Sequence, residues 1–115
     1  MNNYVIIVDD DSHRLNKVKA TLEKDSIYIL KSDNLYDLIS KIYKYNVTKL
    51  IFNPNLSWIN SVDFVLELQK KYTENIYTVF FLYDNIDKEA FEKIRKINII
   101  PIVYPNDIQS IINYL

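Results

Sequence analysis

The 115-residue chain has the length of one ordinary domain, enough for one hydrophobic core and too short for two. It has no cysteine and one histidine, which excludes disulfides, thiolate metal sites and cysteine nucleophiles and leaves little imidazole chemistry. It also has no glycine. This excludes the glycine-rich phosphate loop and the dinucleotide-binding turn, because both need backbone without a side chain.

Charge and hydropathy give no sign of a nucleic-acid or membrane partner. The formal net charge is −1, with 14 basic and 15 acidic residues spread along the chain, so there is no basic patch for nucleic acid or anionic lipid. No apolar run approaches the roughly 18 residues of a membrane span, and Met1-Asn2-Asn3-Tyr4 lacks the basic region of a signal peptide. We expect a cytoplasmic domain that by itself binds neither nucleic acid nor membrane.

Apolar runs rich in β-branched residues alternate along the chain with stretches of helical spacing. The runs are Tyr4–Val8, Ile27–Leu30, Lys49–Phe52, Tyr77–Leu82 and Ile99–Val103. The helical spacing appears at Leu15/Val18/Leu22, Leu35/Leu38/Ile39/Ile42, Val62/Val65/Leu66, Ala90/Phe91/Ile94/Ile97 and Ile108/Ile111/Ile112/Leu115. The pattern predicts five successive strand–helix units in one domain that spans residues 1–115.

Helix boundaries and strand composition agree with this pattern. Because glycine is absent, the left-handed residue that ends many helices is expected to be asparagine, at Asn46, Asn75 and Asn98. Continuous apolar strands are typical of a parallel sheet covered on both faces. The prediction is a doubly wound α/β fold with its site at the carboxyl ends of the strands. The candidate N-caps are Asp11 or Ser12, Asn34, Asn60 or Ser61, Asp87 and Asn106.

Three carboxylates, Asp9, Asp10 and Asp11, follow the first predicted strand. Successive carboxylates at a strand end could hold a hard cation such as Mg²⁺. Alternatively, Asp11 is a helix cap and its neighbours are ordinary acidic residues at the end of a strand. The residues alone leave both interpretations open.

Over essentially its whole length the sequence resembles the receiver domain of two-component response regulators. The resemblance rests on the acidic pair Asp9-Asp10, on the third strand Leu50-Ile51-Phe52 ending at the expected distance, and on Tyr104-Pro105 after the fifth strand. It implies a flavodoxin-like (βα)5 fold with five parallel strands in the order 2-1-3-4-5. By analogy with the family, it also implies a cis peptide bond between Tyr104 and Pro105.

The position of the phosphate acceptor departs from the family pattern. In receivers the third strand ends in an aspartate that accepts phosphate, and Mg²⁺ is held by it, by the acidic pair and by a backbone carbonyl two residues later. The matching positions here are Asn53 and Asn55. Asn53 is neutral and has no nucleophilic carboxylate, so an acyl phosphate cannot form there. Asp9 and Asp10 alone would make at most a weak Mg²⁺ site, and no other cofactor is expected.

Three further family positions differ. Tyr83 replaces the Thr or Ser that binds the phosphoryl group, Tyr104 replaces the conserved lysine of the family, and Pro101 replaces the switch aromatic. The resemblance therefore implies a degenerate receiver that is not an enzyme and acts in protein–protein interaction or signalling without phosphorylation. The alternatives are a small-ligand sensor in the same cleft and an aspartate-based phosphohydrolase, which the triplet Asp9-Asp10-Asp11 superficially matches.

In the family, the face made by the fourth helix, fifth strand and fifth helix mediates dimerisation and effector contacts. The corresponding stretch here is either an exposed interface for a protein partner or a second copy, or part of the core. Trp58, near the site, is either a binding anchor or a loop-closing hydrophobe. An effector domain after Leu115 is compatible with this interpretation. The candidate interface residues are Phe91, Ile94, Ile102, Ile108 and Ile112.

Overall fold

The computed structural model describes residues 4–23, 27–71 and 76–115. The strands are β1 Tyr4–Val8, β2 Tyr28–Ser32, β3 Lys49–Phe52, β4 Thr78–Tyr83 and β5 Ile99–Val103. The helices are α1 Ser12–Leu22, α2 Leu35–Tyr45, α3 Ser61–Lys71 and α4 Lys88–Lys96, followed by a 3₁₀ helix, Ile108–Tyr114. The five strands are parallel and lie in the order β2-β1-β3-β4-β5. This confirms the predicted α/β doubly wound, flavodoxin-like fold.

Apolar side chains of the central strands alternate between two cores. In β1, Ile6 and Val8 pack with residues of α2, α3 and α4, whereas Val5 and Ile7 pack with α1 and the 3₁₀ helix. Both faces of the strand are therefore buried, which is why its sequence is continuously apolar. Among the described residues, no helix is long and apolar enough to cross a membrane.

Polar side chains end the helices largely as predicted. Asp11, Asn34 and Asp87 accept hydrogen bonds from backbone N–H groups of the first turns of α1, α2 and α4, and Asn60 caps α3 through the N–H of Asp63 at 3.1 Å. At the other ends, Asn46 and Asn98 have positive φ angles of 51° and 61°. Asparagine thus takes the left-handed positions; Asn75 lies outside the described residues.

The C-terminal segment differs from the prediction. Its spacing predicted an α-helix with Asn106 as a candidate cap, but the segment is a seven-residue 3₁₀ helix flanked by Asp107, whose side chain makes no capping hydrogen bond. Ile108 and Ile111 are both buried. A 3₁₀ helix places residues i and i+3 above one another, so the two isoleucines reach the core without α-helical geometry.

Three of the candidate interface residues belong to the core. Ile94 packs in the core beneath α2, α3 and α4, and Ile102 and Ile108 pack in the core beneath α1. Their apolar spacing reflects burial and not an exposed patch, so for these three residues the core interpretation holds. Phe91 and Ile112 are half-buried and can still contribute to a surface on this face.

Candidate functional site

The site lies where the neighbouring strands β1 and β3 end. Val8 pairs with Phe52 in the sheet, so the next residues, Asp9 and Asn53, emerge side by side. The backbone N–H of Asn53 donates to the carbonyl of Val8 at 2.9 Å, which holds the two strand ends together. This confirms that residues following the predicted strands meet at one edge of the sheet.

Asp9 is buried, and both of its carboxylate oxygens accept hydrogen bonds. Arg14 donates from Nε to Oδ2 at 2.7 Å and from Nη2 to Oδ1 at 3.0 Å, while the backbone N–H of Asp11 also reaches Oδ1 at 3.0 Å. The side chains of Arg14 and Asp9 are only 12% and 0% exposed. This is a bidentate, charge-assisted ion pair with little access to water.

Arg14 is a site residue that the sequence analysis missed. It occupies the first turn of α1, where its backbone N–H is capped by Asp11 at 3.1 Å. The positive end of the helix dipole disfavours a cation there. An arginine at this unfavourable point of a helix indicates an anionic partner, but the sequence does not identify Asp9 as that partner. The hydrogen bonds to Asp9 raise the pKa of Arg14, so the guanidinium stays charged.

Asn53 is buried with its carboxamide fixed in one orientation. Its Oδ1 accepts the backbone N–H of Asn55 at 2.9 Å, and because that N–H can only donate, it must face the oxygen. The amide nitrogen therefore faces the acidic pair and donates to Asp9 at 3.2 Å and to Asp10 at 3.4 Å. Ser61, at the start of α3, donates to the carbonyl of Asn53 at 2.9 Å.

The residues at this site do not fit Mg²⁺. A cation there would need carboxylate and carbonyl oxygens, but both oxygens of Asp9 already accept hydrogen bonds and Asn53 directs N–H groups towards the acidic pair. Asp10 is exposed. Within the described residues there is no group of three or more His, Asp or Glu side chains that could hold a metal ion.

Tyr83, Pro101 and Tyr104 occupy the expected positions but do not build a common cleft. Tyr83 packs against the α2, α3 and α4 side of the sheet and Tyr104 against the α1 side, although the N–H of Tyr104 donates to the carbonyl of Tyr83 at 2.7 Å. Burial raises the pKa of Tyr83. The Tyr104-Pro105 peptide is cis, as the resemblance implied. Pro101 lies in β5, an edge strand, where a missing N–H is tolerated.

The cleft beside the acidic pair has a polar lining. Asp9 and Asp10 border it, together with Lys31 and Lys41 from the β2 and α2 side and Trp58 from the loop after β3. Trp58 packs on the core beneath α2 and α3, and its indole N–H is a buried donor without a hydrogen-bond partner among the described residues. The ring therefore anchors the loop after β3 to the core.

Exposed apolar side chains concentrate on a different face from the one predicted. On α2, Tyr36 is 86% exposed, and Leu35, Ile39 and Tyr43 are exposed as well, while α3 adds Leu66. Leu35, Ile39 and Tyr43 border an apolar groove between α2 and α3, which we call the α2–α3 groove; Phe64 and Leu68 line its α3 side. The signal in the sequence was the wide apolar face of α2, which exceeds the stripe that Leu38 and Ile42 bury.

No protein-family model matches the sequence, and neither does any curated protein. Solved structures do match. A response regulator signal receiver domain from Bermanella marisrubri has a TM-score of 0.81 at 14% identity, over 99% of this chain and 95% of that chain. Chemotaxis response regulator CheY4 of Vibrio cholerae has a TM-score of 0.78 at 15% identity, over 99% of this chain and 96% of that chain. A response regulator from Thermotoga maritima has a TM-score of 0.80 at 16% identity, over 99% of this chain and 94% of that chain. The chain has the receiver-domain fold.

Proposed function

We propose that this chain is a receiver-like domain that works without phosphorylation, as a protein–protein interaction or signalling module in the cytoplasm. The observation that carries the proposal is the position of Asn53. It lies at the end of β3, where receivers have their acceptor aspartate, and its amide group donates to Asp9 and Asp10. A neutral carboxamide has no nucleophilic oxygen with which to form an acyl phosphate.

The neighbouring residues support the loss of the phosphate response. Tyr83 takes the position of the phosphate-binding hydroxyl residue and packs against Phe81, with ring centroids 6.4 Å apart. Tyr104 takes the position of the lysine, and Pro101, in place of the switch aromatic, is held in the β5 ladder opposite Phe81. The side chains through which receivers pass a phosphate signal to their output face are thus replaced.

The acidic residues give little support to the alternative of an aspartate-based phosphohydrolase. Such an enzyme needs a free carboxylate as nucleophile and a second one as the acid; Asp9 is tied to Arg14 through both oxygens and Asp11 is occupied as the cap of α1, which leaves Asp10 without a free partner in the triplet. We therefore also propose that the domain is not an enzyme. The alternative of a ligand sensor walled by tyrosines is likewise weakened, because Tyr83 and Tyr104 pack on opposite faces of the sheet.

The test is exposure to a phosphoryl donor. The protein would be incubated with acetyl phosphate, or with beryllofluoride, in the presence of Mg²⁺, and analysed by intact-mass spectrometry and by two-dimensional NMR. A receiver domain with its acceptor aspartate, treated alongside, is the positive control. We expect no phosphoryl adduct and an unchanged NMR spectrum. A stoichiometric, Mg²⁺-dependent adduct would mean that another carboxylate, such as Asp10, accepts phosphate, and would refute the proposal.

A further inference from the structure

The acidic pair needs positive charge close by. The side chain of Asp9 is fully buried, and Asp10 follows it directly in the chain. A buried carboxylate is costly unless a cation and hydrogen-bond donors surround it, because water no longer solvates it. Whatever supplies that charge decides whether the site depends on an exchangeable ion.

Arg14 supplies this charge from within the chain. Its guanidinium approaches Asp9 side-on through Nε and Nη2, the planar fork geometry that matches a carboxylate. Its remaining nitrogen, Nη1, lies 3.6 Å from Asp84 at the end of β4, but that carboxylate is 76% exposed and adds little. The pairing with Asp9 is the interaction that is withheld from water.

Asn53 completes the same arrangement. Its amide nitrogen adds two donors to the acidic pair and brings no negative charge. An aspartate at this position would place a third carboxylate beside the pair and would demand a second positive charge. One arginine beside two carboxylates leaves one net negative charge. A divalent cation beside three carboxylates leaves the same net charge. The arginine and the asparagine are therefore matched to each other.

We propose that Arg14 is a permanent internal counter-cation that keeps divalent cations out of this site, and that its removal opens a divalent-cation site at Asp9 and Asp10. The ion is exchangeable in a metal site, whereas the guanidinium is covalently part of α1. The acidic pair consequently keeps this positive charge beside it at every Mg²⁺ concentration. This inference deepens the proposed function and rests on it, since it explains how the site dispenses with the metal that phosphorylation requires.

The experiment measures Mg²⁺ and Mn²⁺ binding by calorimetry and by the fluorescence of Trp58, whose ring borders the same cleft. The variants are Arg14→Met, which removes the charge, and Arg14→Gln, which keeps one side-chain donor for Asp9 and should fold if the first does not. Lys17→Met is the matched control, because it removes an exposed cation from the same helix. We expect both Arg14 variants to bind Mg²⁺ at least tenfold more tightly than the wild type, and Lys17→Met to bind as the wild type does.

The inference fails if a folded Arg14 variant binds Mg²⁺ no better than the wild type. It fails equally if Lys17→Met gains as much affinity, because the effect would then come from net charge alone. These outcomes are separable from the test of the proposed function. Saturable Mg²⁺ binding by the wild type, without a phosphoryl adduct, would refute only the role of Arg14, whereas an adduct on the wild type would refute the proposed function.

Discussion

The Oδ1 atom of Asp9 accepts from three donors: the backbone of Asp11, the guanidinium of Arg14 and the amide of Asn53. Each donor places partial or full positive charge against a carboxylate that has no access to water. The arrangement works only if residue 53 can donate. An asparagine is therefore the residue that this particular environment stabilises, even though an aspartate has nearly the same shape.

From this we predict that Asn53→Asp destabilises the folded protein. The new carboxylate would lose the two donor contacts and face Asp9 and Asp10, at a cost of roughly 1–3 kcal/mol in the free energy of unfolding at pH 7. Repulsion would also raise its pKa above that of an unfolded aspartate, so the destabilisation should shrink as the pH falls and the group takes up a proton.

Urea denaturation at pH 7 and at pH 4 checks this prediction. Asn55→Asp is the matched control, because Asn55 is exposed and contributes to the site through its backbone N–H. The free energy of unfolding of the control should lie within about 0.5 kcal/mol of that of the wild type, as is usual for surface substitutions. An Asn53→Asp protein as stable as the control at pH 7 would show that the amide donors do not stabilise the acidic pair.

Part of the site could be predicted from the sequence and part could not. Asn53, Asp9 and Asp10 directly follow strands, so their meeting point follows from the parallel sheet. Arg14 reaches Asp9 only through the geometry of the short connection between β1 and α1. In the sequence its place in the first turn of a predicted helix indicates an anionic partner, but three aspartates precede it and nothing there shows that it pairs with Asp9.

Among the elements, the strands agree with the sequence-based prediction more closely than the last helix does. Three strands have the predicted bounds, and β2 and β4 begin and end one or two residues later than their apolar runs. For the C-terminal segment the sequence could not distinguish an α-helix from a 3₁₀ helix. Ile108 and Ile111 are three residues apart, and this spacing suits both. The absence of a side-chain cap at Asp107 is consistent with the tighter, shorter helix.

The junction of β2 and α2 is tied by a small polar cluster. Asp37, in the first turn of α2, accepts from Ser32 at 2.9 Å and pairs with Lys41 at 2.9 Å. Lys41 also donates to the carbonyl of Lys31 at the end of β2. The hydrogen bond from Lys41, then that from Ser32, lower the pKa of Asp37. The cluster therefore joins a strand end to the helix that carries the exposed side chains of Leu35, Tyr36, Ile39 and Tyr43.

We predict that Asp37→Asn lowers stability at neutral pH and not in acid. A depressed pKa in the folded state means that the carboxylate stabilises the fold above the unfolded pKa, about 3.9 for aspartate, and loses this effect as the pH falls through the folded pKa. Because the side chain is 35% exposed, the loss at pH 7 should be a few tenths to about 1 kcal/mol. The urea midpoints of Asp37→Asn and of the wild type, compared at pH 7 and at pH 2.5, measure this loss of stability.

Asp63→Asn is the control for this element, since Asp63 has the same place in the first turn of α3, three residues after the capping Asn60. Both substitutions lose the same favourable interaction with the helix dipole. The difference between them isolates the contacts with Lys41 and Ser32. Equal losses in the two variants would show that these contacts contribute nothing beyond the dipole.

At the scale of the whole molecule, the site and the exposed apolar surface lie on different elements. The acidic pair is held by β1, β3 and α1, whereas the exposed side chains of Leu35, Ile39 and Tyr43 border the α2–α3 groove. The sequence pointed instead to the face of the fourth helix and fifth strand, because apolar residues are as frequent there. Periodicity counts apolar residues without showing how deeply the sheet buries them, and Ile94 and Ile102 proved to be core residues.

The last prediction concerns whether a change at the site reaches α4 and β5. In Asn53→Asp, altered backbone amide shifts in two-dimensional NMR should be confined to the ends of β1 and β3 and the first turns of α1 and α3, which contact residue 53 directly or through Ser61 and Asp9. Tyr83 and Pro101, at the positions of the family's phosphate-binding and switch residues, are both paired in the sheet, so we expect neither to pass the change on. Ile94→Val, a core change in α4, is the positive control. If the shifts across α4 and β5 in Asn53→Asp were as large as in that control, the prediction would be wrong, because a change at residue 53 would then reach these two elements.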